Sequence, residues 1–147
     1  MHTEHLQNVS IVWVVAGWLV AAAVTSLVVF VFEASGVGVS GGAANAAATT
    51  VAVVIGFAAG GFFAAFRALH APILHGAGIG FTSVVVWALV NAIAVFVPGA
   101  VYRGVSPAVV AGLMLVQLAA AVLGGLVGYN MALRGKPGLS EDIENAS

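Results

Sequence analysis

The chain has no cysteine, so disulfides, thiolate metal sites and cysteine nucleophiles are all excluded. Charge is almost as scarce. Among 147 residues there are four Lys or Arg and five Asp or Glu, 6% of the chain. A soluble domain carries about 25% charged residues, because its surface must face water. The net charge of −1 leaves no basic field, and nucleic acid is excluded as a partner on that ground. What is abundant is apolar side chain, 62% of the residues. With so little charge to coat it, that surface is expected to face hydrocarbon, and membrane lipid is the expected partner.

The charges mark the layout. They fall at Glu4, Glu33, Arg67, Arg103, Arg134, Lys136, Glu141, Asp142 and Glu144. The uncharged stretches between them predict helices over 9–32, 43–66, 73–97 and 107–131, each 24 or 25 residues long. That length crosses a hydrocarbon core of about 30 Å with some tilt. In lipid only helices or a closed barrel satisfy their own backbone, and the period-2 alternation of barrel strands is missing. The expected fold is all-α: a four-helix integral membrane bundle over 1–133, built as two tandem helical hairpins, with a short polar cytoplasmic tail over 134–147. Met1 to Asn8 holds no Lys or Arg. The apolar stretch after it is longer than the roughly 7–15 residues of a signal peptide. The first segment is therefore expected to remain as an anchor.

Boundary residues agree with these spans. Gly36, Gly38, Gly41 and Gly42 are expected to make the first loop flexible, Pro72 to turn the chain between the second and third helices, and Pro98-Gly99 to stop the third. Ser106-Pro107 reads as an N-cap with Pro at the first helical position. Gly135, Pro137 and Gly138 end the fourth helix. Arg67, Arg134 and Lys136 share one side and Arg103 lies on the other, which predicts a multi-pass protein of the cell membrane with both termini in the cytoplasm. Trp13, Tyr129 and Tyr102 are placed as interfacial anchors, with plain packing as the alternative.

The second and fourth helices share a pattern. Gly56-x-x-x-Gly60-Gly61-x-x-Ala64 matches Ala120-x-x-x-Gly124-Gly125-x-x-Gly128 at a shift of 64 residues. The ends of the first and third helices, Val28–Phe32 and Ala94–Pro98, match at 66. Two hairpins in the same orientation are expected, by duplication or by chance in low-complexity apolar sequence.

Lipid tails are as apolar as Leu, so these helices must associate by close backbone approach and interhelical hydrogen bonds. Small and polar residues form stripes at steps of three or four. They are Asn45, Thr49, Ala52, Gly56, Gly60 and Ala64 on the second helix; Gly76, Gly80, Ser83, Trp87 and Asn91 on the third; and Gln117, Ala120, Gly124 and Gly128 on the fourth. Gly56, Gly60, Gly76, Gly80, Gly124 and Gly128 are the expected packing positions. Trp87, Asn91 and Gln117 are the expected intramembrane polar groups, with Gln117 bonding Trp87 or Asn91 across the third and fourth helices. A polar binding pocket at that depth is the alternative.

No charged residue lies within the expected spans, which argues against an ion- or proton-driven pump. A small channel or facilitator lined by Thr49, Ser83, Asn91 and Gln117 stays open. His2, His5, His70 and His75 are all placed on the cytoplasmic side. His70 and His75 are the low-ranking candidates for a metal or a haem edge, in a cofactor-holding subunit, although no cofactor is expected. Arg67, His70 and His75 read as an interfacial cationic cluster that meets anionic headgroups or only sets topology. No nucleophile–base pair, phosphate loop or paired carboxylates can be assembled, so no enzyme is expected.

At Gly60-Gly61-x-x-Ala64-Ala65, followed by His75-Gly76-x-x-x-Gly80, the chain resembles small four-span prokaryotic membrane proteins of the YrzE-like sort. Those show a glycine pair ending the second span and a His-Gly opening the third. The resemblance covers these two helices and the layout, and it implies no activity. The fluoride channels carry their Gly-Gly and Arg element in the first span, whereas Gly60, Gly61 and Arg67 are in the second. The small multidrug transporters embed a Glu in the first span, whereas Glu33 lies at its end. The expected role is a structural or accessory subunit, working in a larger membrane complex or as a homo-oligomer.

Overall fold

The structure is a computed structural model and describes residues 9–37, 42–69, 71–94, 96 and 106–135. Four helices form: α1 (Ile11–Ala34), α2 (Gly42–Ala68), α3 (Pro72–Ala94) and α4 (Pro107–Arg134). All four are long and apolar enough to cross a membrane. No strand occurs among the described residues. The bundle turns apolar side chains outward on every helix, with Leu27 at 61%, Leu89 at 58% and Leu123 at 63% exposure. Such a surface is at home in hydrocarbon, and the chain is a multi-pass membrane protein of four spans.

The helix ends have local causes. After α1, Gly36 adopts φ +75°. Its N–H meets Glu33 O at 3.1 Å, and that of Val37 meets Phe32 O at 2.8 Å. This is a Schellman closure, which needs a left-handed residue and therefore favours glycine. Gly36 thus has a defined conformation, whereas the sequence suggested only a flexible loop. The α2–α3 turn is tight, with Leu69 at φ 55° and Ala71 at φ 43°, and Pro72 then opens α3. α3 was expected to reach residue 97 but ends at Ala94. Pro98 has no N–H to offer the Ala94 carbonyl, and proline disfavours helix in the residue before it. Ser106 caps α4, its side chain accepting from Val109 N at 3.3 Å, with Pro107 following as expected. α4 runs on to Arg134, which the sequence placed in the tail. Arg67 likewise lies inside the last turn of α2, where a cation complements the carbonyl end of the helix.

The helices pack in the cyclic order α1–α2–α4–α3, with α1 and α4 barely in contact across the diagonal. Residue pairs fix the directions. Gly17 meets Gly60 while Gly56 meets Ala21 and Thr25, so α1 and α2 are antiparallel. Gly76 meets Val122 while Gly80 meets Leu118, so α3 and α4 are antiparallel too. Ala58 meets Gly124 and Phe62 meets Gly128, so α2 and α4 run parallel. The expected pair of hairpins in one orientation is therefore present. Ser10 pairs with His75 and Trp18 with Ser83, both at a separation of 65 residues, so α1 and α3 run parallel.

Glycine permits these approaches. A Cβ on Gly61 would strike the Ala121 carbonyl, one on Gly124 that of Ala58, and one on Gly128 that of Phe62. α2 is the hub, because it uses two faces. Gly56 and Gly60 receive α1, and Gly61 receives α4. The buried core is rich in small residues, Ala21, Ala52, Ala64, Ala65 and Ala121, packed with Ile79, Phe57, Val14 and Val53.

Packing is uneven along the bundle. In α3 all buried residues lie between Pro72 and Gly80. In α4 none is buried before Ala120. One end of the molecule, where α1 and α3 begin and α2 and α4 finish, is closed. At the other end α3 and α4 part.

Candidate functional site

At the closed end, His75 is fully buried. Its Nε2 accepts the Ser10 backbone N–H at 3.2 Å. Its Nδ1 lies 3.0 Å from Ala71 O. A backbone amide can only donate, so Nε2 holds a lone pair and Nδ1 carries the proton given to Ala71. Both ring nitrogens are committed in this neutral form. That corrects two expectations for His75. It offers no lone pair to a metal, and it does not extend a cationic cluster from Arg67. It is a peg instead, joining the start of α1 to the start of α3 and bracing the left-handed Ala71. His70, His2 and His5 lie outside the described residues, as do Tyr102, Arg103 and Lys136. Among the described residues no three His, Asp or Glu side chains group as metal ligands.

Arg67 is exposed at the same end, its guanidinium 5.8 Å from the centre of the Trp13 ring. Trp13 in turn meets Phe63 edge-on, with centroids 6.2 Å apart at 68°. Trp13 thus links α1 to the end of α2 by a cation–π and an aromatic contact. Arg67 also borders a shallow depression with Phe66, Leu69, Met131, Ala132 and Gly135.

The feature with most chemical character is at the open end. Ser83, Trp87 and Asn91 from α3 and Val110, Leu113, Met114 and Gln117 from α4 line a cleft of about 290 Å³. On each helix the lining residues recur at steps of three or four, so each wall is one stripe. The cleft ends where the helices close again, at Gly80 against Leu118, so closely that a Cβ added to Gly80 would lie 2.9 Å from Leu118 Cα. Beyond that point Ile79, Ala21, Ala64 and Ala121 fill the centre of the bundle.

The polar groups of the cleft are unequally satisfied. Trp18 Nε1 donates to Ser83 Oγ at 3.0 Å, which fastens α1 to α3 beside the cleft. Asn91 Nδ2 donates to Trp87 O at 2.8 Å, four residues back in its own helix. Gln117 Oε1 is buried and accepts no hydrogen bond. The sequence brought Trp87 and Gln117 to one depth, with Asn91 one turn nearer the outer surface, and the structure gathers the three in one cleft. It does not form the expected cross-helix bond at the Gln117 oxygen, because the Asn91 amide turns to its own backbone. An unpaired buried amide costs about 1–3 kcal/mol in proteins, and lipid supplies no water to relieve it.

Thr49 is exposed on α2, away from the cleft, and Asn45 on the same stripe is exposed as well. The suggested polar path of Thr49, Ser83, Asn91 and Gln117 is thus not one continuous lining. The sequence reading missed Gly17, Trp18, Ser10 and the apolar cleft wall, and it noted Gly61 in the repeat without making it a packing position. Trp18 and Ser83 stand 65 apart, within one residue of the shifts of 64 and 66 between the similar stretches. In comparisons with known proteins, no family model matches this chain, and no curated protein and no solved structure is significantly similar to it.

Proposed function

We propose that this chain is a non-enzymatic accessory protein of the membrane. In this reading the closed end acts as a rigid frame, and the α3–α4 cleft at the open end holds another component of the bilayer. The observation that carries it is the Gln117 amide oxygen, buried without a partner beside a cleft in a bundle whose outer surface is apolar. Unlike Thr25 Oγ1, which is buried beside Gly56, this oxygen belongs to a side chain that lines a cleft, where an entering molecule can satisfy it. The filled centre of the bundle favours this role over conduction through a single copy. The kinship with YrzE-like four-span proteins belongs to the same reading and adds no activity to it.

A photoreactive residue at Leu113, on the cleft, tests the proposal in native membranes against one at Leu123, on the outer face. The reading expects a defined adduct from position 113, a protein or a small molecule, and only diffuse lipid labelling from 123. Diffuse labelling from both positions, or ion or solute flux through vesicles holding the purified chain, would refute it.

A further inference from the structure

The open cleft has a chemistry of its own. No charged side chain lines it, so it offers no counter-charge to an ion. Its walls combine an indole ring, three apolar side chains, two carboxamides and a hydroxyl. The unsatisfied group is an acceptor, Gln117 Oε1. The terminal torsion of glutamine is soft, so the oxygen can swing to the cleft wall without disturbing the helix. An acyl chain of a lipid brings no hydrogen-bond donor and leaves that oxygen as it is.

Size narrows the occupant further. The cleft holds about 290 Å³. One turn of an α-helix, 5.4 Å long and about 10 Å across, takes roughly 400 Å³. The cleft, lined by seven residues, suits a small molecule or a single inserted side chain rather than a whole helix. A cavity of roughly 150 Å³ accepts a benzene molecule, so this one has room for a ring and its substituents.

We propose that the α3–α4 cleft binds a neutral, ring-sized, lipid-soluble molecule whose hydroxyl or amide N–H donates to Gln117, with its apolar body between Trp87, Leu113 and Met114. This rests on the accessory reading above and names the component held. The cleft is closed below by Gly80 and Leu118, so the molecule enters from the lipid side or from the open end of α3 and α4. The molecule is uncharged, since nothing in the walls would neutralise a carboxylate or an ammonium.

Photolabelling of the full chain in phosphatidylcholine vesicles tests the proposal. The probes are an octanol carrying a diazirine, the octane with the same diazirine, and the corresponding octanoate. The alcohol is expected to label Trp87, Leu113 or Met114 above the outer-face positions Leu89 and Leu123. The alkane and the carboxylate are expected to show no such preference. Gln117→Leu is expected to lower cleft labelling by the alcohol about three- to tenfold, the worth of one hydrogen bond within a membrane. Leu113→Trp, which fills the cleft, is expected to abolish it. Equal cleft labelling by alcohol and alkane in the unaltered chain would overturn the proposal without any variant. So would a Gln117→Leu chain that folds and labels like the parent. If a photoreactive residue at Met114 instead joins a second polypeptide, the small-molecule assignment fails while the accessory reading survives. Diffuse lipid adducts alone would sink both.

Discussion

The two hairpins start from similar material and end differently. Helices α1 and α2 stay together to about the middle of the bundle, because Gly56 and Gly60 receive Ala21, Thr25 and Gly17. Helices α3 and α4 are held by Gly76 and Gly80 against Val122 and Leu118, and then they part. At the 66-residue shift between the first and third helices, Trp87 corresponds to Ala21. At 64 residues, Gln117 corresponds to Val53. Where the first hairpin places small side chains on glycine, the second has an indole and a carboxamide with a gap between them. Without a drive from water to exclude apolar surface, helices in lipid close only where backbones can touch. A stretch of bulky and polar residues leaves room, and that room is the cleft.

The glycines give the sharpest test of this contrast. Gly61→Leu drives a side chain into the Ala121 backbone, at the interface between the hairpins. It is expected to prevent stable assembly, and Gly61→Ala to cost about 1–3 kcal/mol or more, read from thermal unfolding in detergent. Gly112 lies in the open half, and a Cβ there meets nothing within 4 Å. Gly112→Ala is expected to leave stability unchanged or raise it by up to about 1 kcal/mol through helix propensity. Equal losses at both glycines would erase the distinction between the two ends.

The next effect concerns the peg. His75→Leu strands the Ser10 N–H and removes the brace on Ala71, and it should cost about 1–3 kcal/mol. A His75→Leu chain as stable as the parent would show that the closed end owes little to this contact. Trp18→Phe removes a single interhelical bond to Ser83 and should cost only about 0.6 kcal/mol beyond the change in packing, measurable in a double-mutant cycle with Ser83→Ala. At the other extreme, Thr25 Oγ1 is buried beside Gly56 without a partner, so Thr25→Val should leave stability unchanged or slightly improved.

Spans and glycine faces could be read from the chain because each depends on short-range rules. Charges cannot lie in hydrocarbon, so the gaps between Glu33, Arg67 and Arg134 outlined the helices to within a few residues. Spacing of three or four placed Gly124 and Gly128 on one face, and they do share a neighbour helix. The partners were not legible. Each helical residue turns the face by 100°, so Gly60 and Gly61, adjacent in sequence, serve different helices. Asn91 and Gln117 do line one cleft, but whether an amide reaches across or back to its own carbonyl depends on how far two helices diverge. His75 looked like a ligand because its acceptor duty to Ser10 involves a residue 65 positions away.

The most direct measurement concerns exposure to lipid. The chain has no cysteine, so single spin labels can be placed at Leu27, Ile55, Leu89 and Leu123 without background, all on exposed faces. In reconstituted bilayers all four labels should collide readily with dissolved oxygen and hardly at all with a water-soluble nickel chelate. Strong collision with the nickel chelate at these positions would mean that the outer face meets water, and the four-span account would be wrong.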